Sequence, residues 1–379
     1  MYTLVIGRSY PEKDTGMMGI FEFEHAIALK KYGNETIYCF VDTRSVKRLR
    51  KKKEFYLNKE GLEIYGYYYP IGGLPNSLFN NLKTKKTLKL LNKIIAQHGL
   101  PQNIHIHYPL INLTDGIWEK IKTYNVPIIV TEHWSKVQNQ TIEPYRKTFL
   151  KKIVKESDTI ITVGKKLKAS VIEITKTNKE VLVIPNILNE AFEYIEAENK
   201  NKFKFIFIGS LIPSKKVDLL ITAFRNVFNT TEIELHIVGN GKLFKKLSKK
   251  IKKDNLKNVF MHGYLTREKT AFLLQNCDVF VSASEIETFG VPFIEALACG
   301  KPVIGISDSS IASYINEANG LLFENGNIKQ LESALKKIYE QKDKYNSCLI
   351  AQNAKEIFGE ENIIKQLKSI YSKLNGEKY

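Results

Sequence analysis

The chain has 379 residues, 43% of them hydrophobic and 26% charged, which is the composition of a globular protein and excludes a largely disordered one. This length predicts two domains, because single hydrophobic cores stop growing at about 250–300 residues. No run reaches the roughly 18 apolar residues that a membrane-spanning helix needs, and the first residues predict a short strand, not a signal peptide. A formal net charge of +17 favours an anionic partner, such as a nucleic acid, an anionic lipid or a phosphorylated substrate.

The spacing of cysteines and histidines does not indicate a bound metal. The four cysteines are scattered along the chain, which predicts reduced core thiols in a cytoplasmic protein. No cluster of His and Cys has the spacing of metal ligands, and the chain lacks the Asp-x-Asp pair that usually holds a metal-bound nucleotide. We therefore expect neither a metal ion nor a cofactor.

Short apolar runs rich in Ile and Val alternate with helical patterns along the chain. The first six predicted strands are Thr3–Ile6, Thr36–Phe40, Ile104–His107, Ile128–Thr131, Thr159–Val163 and Val181–Ile184. After a polar stretch, the next six are Phe203–Ile208, Leu235–Val238, Val259–Met261, Val279–Ser282, Pro302–Ile304 and Gly320–Phe323. Continuous apolar strands are typical of parallel sheets buried on both faces, with the helices as crossovers between them. The sequence thus predicts an α/β protein with two doubly wound sheets joined near residue 195.

Basic residues are concentrated in two segments of the first half. One is Arg44–Lys53, and the other contains Lys83, Lys85, Lys86 and Lys89. The aromatic residues between them are Phe55, Tyr56, Tyr65, Tyr67, Tyr68 and Tyr69. Basic residues near aromatic ones suit the surface of an anionic membrane, but a solvated loop explains Arg44–Lys53 equally well. A third basic segment, Lys242–Lys253, has the periodicity of an ordinary amphipathic helix with a solvated lysine face.

Residues 282–305 contain the most informative pattern of the chain. An apolar strand is followed by Gly290 and then by a proline of the kind found in the first turn of a helix, so we expect a helix to begin near Val291. Its free backbone N–H groups and the positive end of its dipole would suit a phosphate or sugar hydroxyls. Glu287 stands on the loop before this helix and Glu295 one turn inside it. Two carboxylates suit the vicinal hydroxyls of a ribose or a hexose.

This segment resembles the acidic pair of the retaining glycosyltransferases of family 4, in which seven residues separate two glutamates. The resemblance implies that Glu287 lies by the donor sugar as a catalytic residue and that Glu295 holds the ribose of the nucleotide. It also implies that Thr288, Phe289 and Gly290 lie at the donor.

The same resemblance implies the GT-B fold, with two Rossmann-like doubly wound domains that face each other across a cleft. We expect an N-terminal, acceptor-side domain over 1–190 and a nucleotide-sugar-binding domain over 200–360. A final helix within 361–379 would cross back to the first domain.

Further donor-binding residues follow from the resemblance. After the first strand of the second half, Gly209 lets the backbone approach a ligand, and Lys215 matches a lysine that holds the donor diphosphate in the family. The family has an arginine where this chain has Ser210, whose hydroxyl cannot provide the charged fork of an arginine. Gly263 and Tyr264 match the segment whose backbone recognises the nucleotide base. The Gly-x-Gly sequence after Val238 is expected to be a tight turn, since a lone Gly-x-Gly is a weak dinucleotide motif.

In the first domain, Gly16 and Gly19 form a glycine-containing loop that, by resemblance, approaches the donor phosphates. His133 follows a buried strand and matches a family histidine near the reacting sugar. We expect it to be catalytic, donating a hydrogen bond to a sugar hydroxyl or arranging the acceptor. His107, at the end of another strand, is a weaker acceptor candidate, and a structural role explains it equally well.

The acceptor side is the least defined part of the prediction. On the predicted helix Phe21–Lys31, Glu24 is a second acceptor candidate. Together with its neighbours Glu22 and His25, it either contacts the acceptor or is simply solvated.

The resemblance implies a retaining glycosyltransferase that moves a hexose-type sugar from a UDP- or GDP-sugar to a glycan or lipid-linked acceptor. Bacterial capsule or O-antigen synthesis is the expected setting, in the cytoplasm or peripherally on the inner face of the plasma membrane, with no nucleic acid partner. One alternative is a sugar-nucleotide epimerase on the same scaffold, which needs no acceptor. Another is a basic nucleic-acid-binding protein, which the charge permits but no motif supports. A third is an inactive scaffold, to which Ser210 is the one hint.

Overall fold

The chain folds into two compact units, Met1–Ile187 together with Glu360–Tyr379, and Leu188–Gly359. The computed structural model describes residues 2–12, 17–44, 51–196, 202–229 and 231–376. Among the helices in these ranges, none combines the length and the apolar character that crossing a membrane requires.

The first unit contains an eight-stranded sheet. Its strands are β1 (Thr3–Gly7), β2 (Thr36–Asp42), β3 (Lys53–Lys59), β4 (Leu62–Tyr68), β5 (Asn103–His107), β6 (Ile128–Glu132), β7 (Thr159–Thr162) and β8 (Val181–Val183). Their spatial order is β3-β4-β2-β1-β5-β6-β7-β8, and every neighbouring pair except β3-β4 is parallel. The six strands predicted in this half are confirmed to within two residues.

The β3-β4 hairpin is not among the predicted elements, and it determines the position of the aromatic residues. Tyr65, Tyr67 and Tyr68 of β4 are at most 7% exposed, whereas Tyr56 of β3 is 56% exposed. Most of these rings therefore belong to the core and do not form a membrane-facing surface. β4 pairs in parallel with β2, which buries it as a continuous part of the sheet.

The basic segment next to this hairpin is described only in part, because residues 45–50 lie outside the described ranges. Arg44 pairs with the buried carboxylate of Asp42 over 2.7 Å. Lys86 lies 3.4 Å from the centroid of the Tyr67 ring. At least these two cations are held by contacts within the first unit.

The helices between the strands of the first unit are α1 (Ile20–Lys31), α2 (Asn76–His98), α3 (Pro109–Asn112), α4 (Asp115–Lys122), α5 (Ser135–Gln138), α6 (Pro144–Glu156) and α7 (Lys165–Thr175). α1 is the predicted helix Phe21–Lys31, extended by one residue. Its polar residues Glu22, Glu24 and His25 are buried, so of the two alternatives the one in which they are simply solvated is wrong. They belong to the interior of the first unit, where each needs a partner or a ligand.

The second unit contains a six-stranded sheet in which all neighbours are parallel. Its strands are β9 (Phe203–Ile208), β10 (Ile233–Val238), β11 (Val259–Gly263), β12 (Val279–Val281), β13 (Val303–Ile306) and β14 (Gly320–Phe323). The spatial order is β11-β10-β9-β12-β13-β14. All six predicted strands are confirmed to within two residues, and β9 lies beside β12 because the order of strands reverses there.

The helices of the second unit are α8 (Val217–Val227), α9 (Phe244–Lys253), α10 (Arg267–Gln275), α11 (Val291–Ala298), α12 (Ile328–Glu340) and α13 (Ser347–Phe358). α9 is the amphipathic lysine-rich helix that the periodicity predicts. It buries Leu247 and Ile251. α10 begins after Thr266, whose side chain accepts a hydrogen bond from the N–H of Lys269 and so caps the helix.

The last helix, α14 (Glu360–Leu374), is part of the first unit although it follows the second in the chain. Ile363, Ile364, Leu367 and Tyr371 of α14 lie in the hydrophobic core beneath β1, β2 and β4. The hydroxyl of Tyr371 lies 2.6 Å from Nδ1 of His105 on β5.

Candidate functional site

Two loops of the second unit meet beyond the carboxyl ends of the neighbouring strands β9 and β12. Lys215 ends a short 3-10 helix, Pro213–Lys215, on the loop after β9, and Glu287 lies on the loop after β12. The Nζ of Lys215 donates a hydrogen bond to Oε1 of Glu287 over 2.6 Å. Their side chains are 20% and 13% exposed, so the ion pair is largely buried yet reachable from solvent. The structure thus brings together two residues that are 72 positions apart in the sequence.

Further contacts hold the same two loops against each other. Lys216 forms an ion pair with Glu285 over 2.8 Å, and the N–H of Glu285 donates to the carbonyl of Ser214 over 2.9 Å. Lys216 has a φ of 47°, and this left-handed residue separates the 3-10 helix from α8. These contacts add to the Lys215–Glu287 ion pair in holding the two loops together.

The helix predicted near Val291 is present as α11, and Gly290 is its N-cap. Gly290 has a φ of 96°, in the left-handed region that favours glycine. Glu295 is the fifth residue of α11, and its side chain is 8% exposed. Its Oε1 lies 3.4 Å from Nη2 of Arg267, the first residue of α10. The burial of Glu295 is thus offset by a cationic partner, which the sequence analysis did not identify.

The predicted base-recognition segment immediately precedes α10. Gly263 ends β11 with a φ of 70°, and Tyr264 is 52% exposed. Because Arg267 follows this segment and contacts Glu295, the residues predicted to hold the base and the ribose lie in one region of the second unit.

The glycine turn after β10 packs against the loop after β9. The N–H of Gly209 donates to the carbonyl of Val238 over 3.0 Å. Gly239 has a φ of 136°, and a Cβ there would lie 1.8 Å from the carbonyl oxygen of Gly209. At Gly241 a Cβ would lie 2.5 Å from the carbonyl oxygen of Leu211. The Gly-x-Gly sequence therefore allows close backbone packing, and the predicted tight turn is confirmed.

The side chains of the remaining predicted donor residues differ in accessibility. Phe289 is 2% exposed, and its ring lies 5.8 Å from that of Phe358 and 6.5 Å from that of Tyr314. Its side chain therefore anchors the loop in the core and is not available to a donor. Thr288 is partly exposed and Ser210 is exposed.

Four of the seven histidines form a buried cluster in the first unit: His25 of α1, His105 and His107 of β5, and His133 after β6. The ring centroid of His107 lies 4.3 Å from that of His105 and 5.2 Å from those of His25 and His133. Burial lowers the pKa of His25 to about 4 and that of His105 to about 3. Burial, with the neighbouring basic groups, also holds the pKas of His107 and His133 well below the usual value. All four imidazoles are therefore neutral at pH 7.

The predicted catalytic residue His133 contacts the rings of His107 and Tyr108. Its Nε2 lies 2.9 Å from Nδ1 of His107, and its ring stacks on Tyr108 with 4.6 Å between centroids. Nε2 of His107 has no hydrogen-bond partner among the described residues. The same is true of Nδ1 of His133, so two ring nitrogens of the His107–His133 pair lack the hydrogen bond that buried polar atoms nearly always make.

Two charged residues beside these histidines, Arg8 and Glu132, were not predicted as site residues. Nε of Arg8 donates to Oε1 of Glu22 over 2.6 Å, and its guanidinium lies 3.3 Å from the centroid of the Tyr108 ring. Glu132 accepts hydrogen bonds from the N–H groups of the next two residues, both over 2.8 Å, and burial raises its pKa to about 7. Arg8 directly follows β1 and Glu132 ends β6, so their position at the carboxyl ends of strands was the available signal.

The predicted glycine loop of the first unit is described only from residue 17 onward, so Gly16 lies outside the described residues. Gly19 is the N-cap of α1, with a φ of 89°. A Cβ at Gly19 would lie 2.0 Å from the carbonyl oxygen of Ser9, so the loop packs directly on the backbone after β1. Within the described ranges, no group of three or more His, Cys, Asp or Glu side chains is placed to hold a metal ion.

Comparisons with known proteins agree with this architecture. The model of Glycosyltransferase Family 4 matches residues 24–192, and that of Glycosyl transferases group 1 matches residues 189–356. An uncharacterized glycosyltransferase of Methanocaldococcus jannaschii is 28% identical over 292 residues, which are 76% of this chain and 79% of that protein.

Solved structures of low sequence identity share the fold over nearly the whole chain. Sucrose-phosphate synthase from Thermosynechococcus elongatus is 18% identical, with a TM-score of 0.80, over 99% of this chain and 100% of the other. Anabaena HepE in complex with UDP-glucose is 17% identical, with a TM-score of 0.73, over 98% of this chain and 100% of the other. The two sheets and these likenesses define the fold as GT-B, as predicted.

The two family models together match residues 24–356, so little of either sheet lies outside them. The chain belongs to the glycosyltransferases of group 1 and family 4, and the resemblance stated from residues 282–305 is confirmed.

Proposed function

We propose that the protein is a retaining, metal-independent hexosyltransferase that moves a sugar from a UDP- or GDP-sugar to a glycan or lipid-linked acceptor. The observation that carries this proposal is the contact between Lys215 and Glu287 beyond the carboxyl ends of two neighbouring parallel strands. In open α/β sheets this edge is where ligands bind. A cation suits the diphosphate of the donor, and a carboxylate suits its sugar hydroxyls.

Lys215 stabilises the leaving nucleoside diphosphate in this proposal. Its ammonium has three donors, of which one is used by Glu287, so contact with a phosphate does not require the ion pair to break. The N-terminus of α11 adds backbone N–H groups and the positive end of its dipole. Fixed charges of this kind stabilise the developing anion by roughly 3 kcal/mol per donor, and they act without a metal ion. With Ser210 in place of the family's arginine, Lys215 becomes the main cation at the diphosphate.

The two glutamates hold the two sugars of the donor. Glu287 accepts hydrogen bonds from hydroxyls of the sugar to be transferred, and its ion pair with Lys215 orients it. Glu295, whose carboxylate also lies beside Arg267, binds the ribose. Gly263 and Tyr264, just before Arg267, supply the backbone that recognises the base.

His133 binds a hydroxyl close to the reaction centre. A neutral imidazole can donate or accept a hydrogen bond without adding charge, and the low pKa of His133 keeps it neutral. We hypothesise that the acceptor attacks from the face of the leaving group and that the donor phosphate takes the acceptor proton. The new glycosidic bond then keeps the configuration of the donor.

UDP is favoured as the nucleotide because a structural neighbour is solved with UDP-glucose. The net charge of +17 supports an anionic acceptor or an anionic surface that carries it. On this basis we place the reaction in bacterial surface polysaccharide synthesis, in the cytoplasm or at the inner face of the plasma membrane.

The test is incubation of the purified protein with UDP-glucose, UDP-N-acetylglucosamine and GDP-mannose, with and without EDTA and a panel of glycan acceptors. We expect nucleotide release with one donor, undiminished by EDTA, and a product whose anomeric proton coupling matches that of the donor. Glu287→Gln should lose this turnover, whereas the matched variant Glu285→Gln, on the same loop, should keep most of it. An inverted product, turnover lost in EDTA, or equal activity of wild type and Glu287→Gln would contradict the proposal.

A further inference from the structure

A cavity of about 580 Å³ in the first unit lies outside all the residues assigned so far. It opens between α2, α3, α4 and α6. Its lining includes the three cations Lys83, Arg146 and Lys152 and the aromatic residues Trp134, Tyr145 and Phe149. A concave site with aromatic walls and a few converging charges is the usual form of a small-molecule pocket.

Lys83 is a buried cation without an anionic partner. It is 4% exposed, and its Nζ donates to the carbonyl of Ile111. Among the described residues, no carboxylate lies within ion-pairing distance of this ammonium. Burial, and then the charge of Arg146, lower the pKa of Lys83 to about 7. A lysine in this state is stabilised by any anion that enters the cavity.

Arg146, like Lys83, donates a hydrogen bond to a backbone carbonyl of α3. Its Nη1 donates to the carbonyl of Leu110 over 2.6 Å, next to the carbonyl of Ile111 that Lys83 uses. Its Nε also lies 3.0 Å from the carboxylate of Glu143, which is about half exposed and so neutralises the guanidinium only weakly. Lys83 and Arg146 thus donate hydrogen bonds to the carbonyls of two successive residues of α3.

The other charged residues that line the cavity, Lys152 and Asp115, form an ion pair with each other. Lys152 pairs with Asp115 over 3.0 Å and with Glu119 over 2.9 Å. Arg146 shares its charge with Glu143, so the cation of this pocket that has no carboxylate partner among the described residues is the buried Lys83.

The aromatic wall of the pocket includes Trp134, the residue after the predicted catalytic His133. Trp134 directly follows His133, and the N–H groups of both residues donate to the same oxygen of Glu132. Arg146 lies 5.2 Å from the centroid of the Trp134 ring. A ligand that is bound by the cations would therefore be able to cover the Trp134 ring.

We propose that this pocket binds the phosphate group of a phosphorylated acceptor through Lys83 and Arg146, with the sugar or polyol of the acceptor against Trp134 and Tyr145. The inference rests on the proposed function and adds the chemical class of the acceptor. Arg146 supplies a planar fork that suits phosphate oxygens, and Lys83 supplies a point charge. The phosphate replaces the carboxylate that Lys83 lacks, and Lys83 takes up a proton when the acceptor binds near pH 7.

The test is calorimetric titration of the protein, saturated with UDP so that the donor site is filled, with glycerol 1-phosphate and with neutral glucose. A parallel arm uses phosphatidylcholine vesicles with and without phosphatidylglycerol, which distinguishes a lipid headgroup from a soluble phosphate. Titrations in buffers of different ionisation enthalpy measure proton uptake. The variants are Lys83→Met and Arg146→Gln, and the control is Lys85→Met on the exposed face of the same helix.

We expect one phosphate source to bind in preference to glucose, with proton uptake near pH 7. Lys83→Met should bind at least tenfold more weakly and lose the proton uptake, Arg146→Gln should bind more weakly, and Lys85→Met should match the wild type. Equal binding by wild type and both pocket variants, or no binding of either phosphate source, would overturn the inference. Binding of UDP itself reports on the proposed function separately, because Lys83 lies in the first unit and the predicted UDP-binding residues Lys215, Glu295 and Tyr264 lie in the second.

Discussion

Lys215 and Glu287 form an ion pair of 2.6 Å that joins the loops after β9 and β12. These strands are neighbours in the sheet although two other strands, β10 and β11, separate them in the chain. The reversal of strand order at β9 therefore brings a cation and a carboxylate to one point.

Replacing Lys215 with methionine should reduce kcat by about 100- to 1,000-fold, because one fixed donor to the developing anion is lost. The fold should remain, since both loops keep the Lys216–Glu285 contact and the Ser214 hydrogen bond. Steady-state nucleotide release measures the effect, and circular dichroism checks the fold. Lys216→Met serves as the matched control and should lose less than tenfold, so equal losses in the two variants would argue against a special role for Lys215.

Replacing Glu295 with glutamine should raise the KM for the sugar nucleotide about tenfold or more and change kcat less, because a ribose contact is distant from the bond that breaks. The Arg267 guanidinium then loses its charged partner, and we expect a loss of about 1–2 kcal/mol in the free energy of unfolding. Kinetics and urea denaturation test the two effects independently. Glu268→Gln, next to Arg267 on the exposed side of α10, is the control. A large fall in kcat with an unchanged KM would contradict a ribose role.

The buried histidines predict a loss of stability in mild acid. The pKa of His25 is about 6.5 in the unfolded chain, and burial lowers it to about 4 in the folded one. Its contribution to the free energy of unfolding is therefore fully present above pH 6.5 and is lost as the pH falls towards 4. His105, His107 and His133 act in the same direction. Glu132 opposes them, because its raised pKa favours the folded state at low pH, but one group does not outweigh four.

The measurement is thermal unfolding at pH 5 and pH 7.5 for the wild type and His25→Phe. Phenylalanine keeps the edge-to-face contact with His107 and removes two ring nitrogens that have no partner among the described residues. We expect the variant to be the more stable protein at pH 5, by roughly 2 kcal/mol. His98→Gln, a partly exposed site, should follow the wild type. A pH profile of His25→Phe identical to that of the wild type would show that His25 takes no part in the acid transition.

Gly239→Ala should destabilise the second unit by roughly 3 kcal/mol or more. The new Cβ would stand 1.8 Å from the carbonyl oxygen of Gly209, so the backbone of one loop must move. Gly326→Ala is the matched control, because Gly326 also has a positive φ but no atom lies within 4 Å of the added carbon. This variant should lower the free energy of unfolding by about 1 kcal/mol. Urea denaturation distinguishes the two, and equal losses would show that the φ strain alone matters.

The sequence predicted both sheets because their strands are continuous apolar runs, and hydrophobicity is a local signal. It failed at β3, the edge strand, and at its neighbour β4, because charged and aromatic residues alternate with apolar ones in both. Burial of Tyr65 and Tyr68 depends on which strand lies beside them, and no local pattern contains that information.

The candidate site was partly predictable for a similar reason. Glu287, Glu295 and Lys215 lie in motifs, whereas Arg267 and Arg8 matter through partners far away in the chain. The packing of the Phe289 ring could not be predicted for the same reason, because only the folded structure shows that this ring faces the core.

The placement of α14 has a consequence for how the protein is made. The second unit is one continuous segment and can reach its native structure as soon as that segment has left the ribosome. The first unit begins earlier but lacks Tyr371 and the three aliphatic side chains of α14 until residues 360–374, which follow the whole second unit, have been translated. The half that is translated first is thus the half that matures last, and its uncovered core must be kept from aggregating in the meantime.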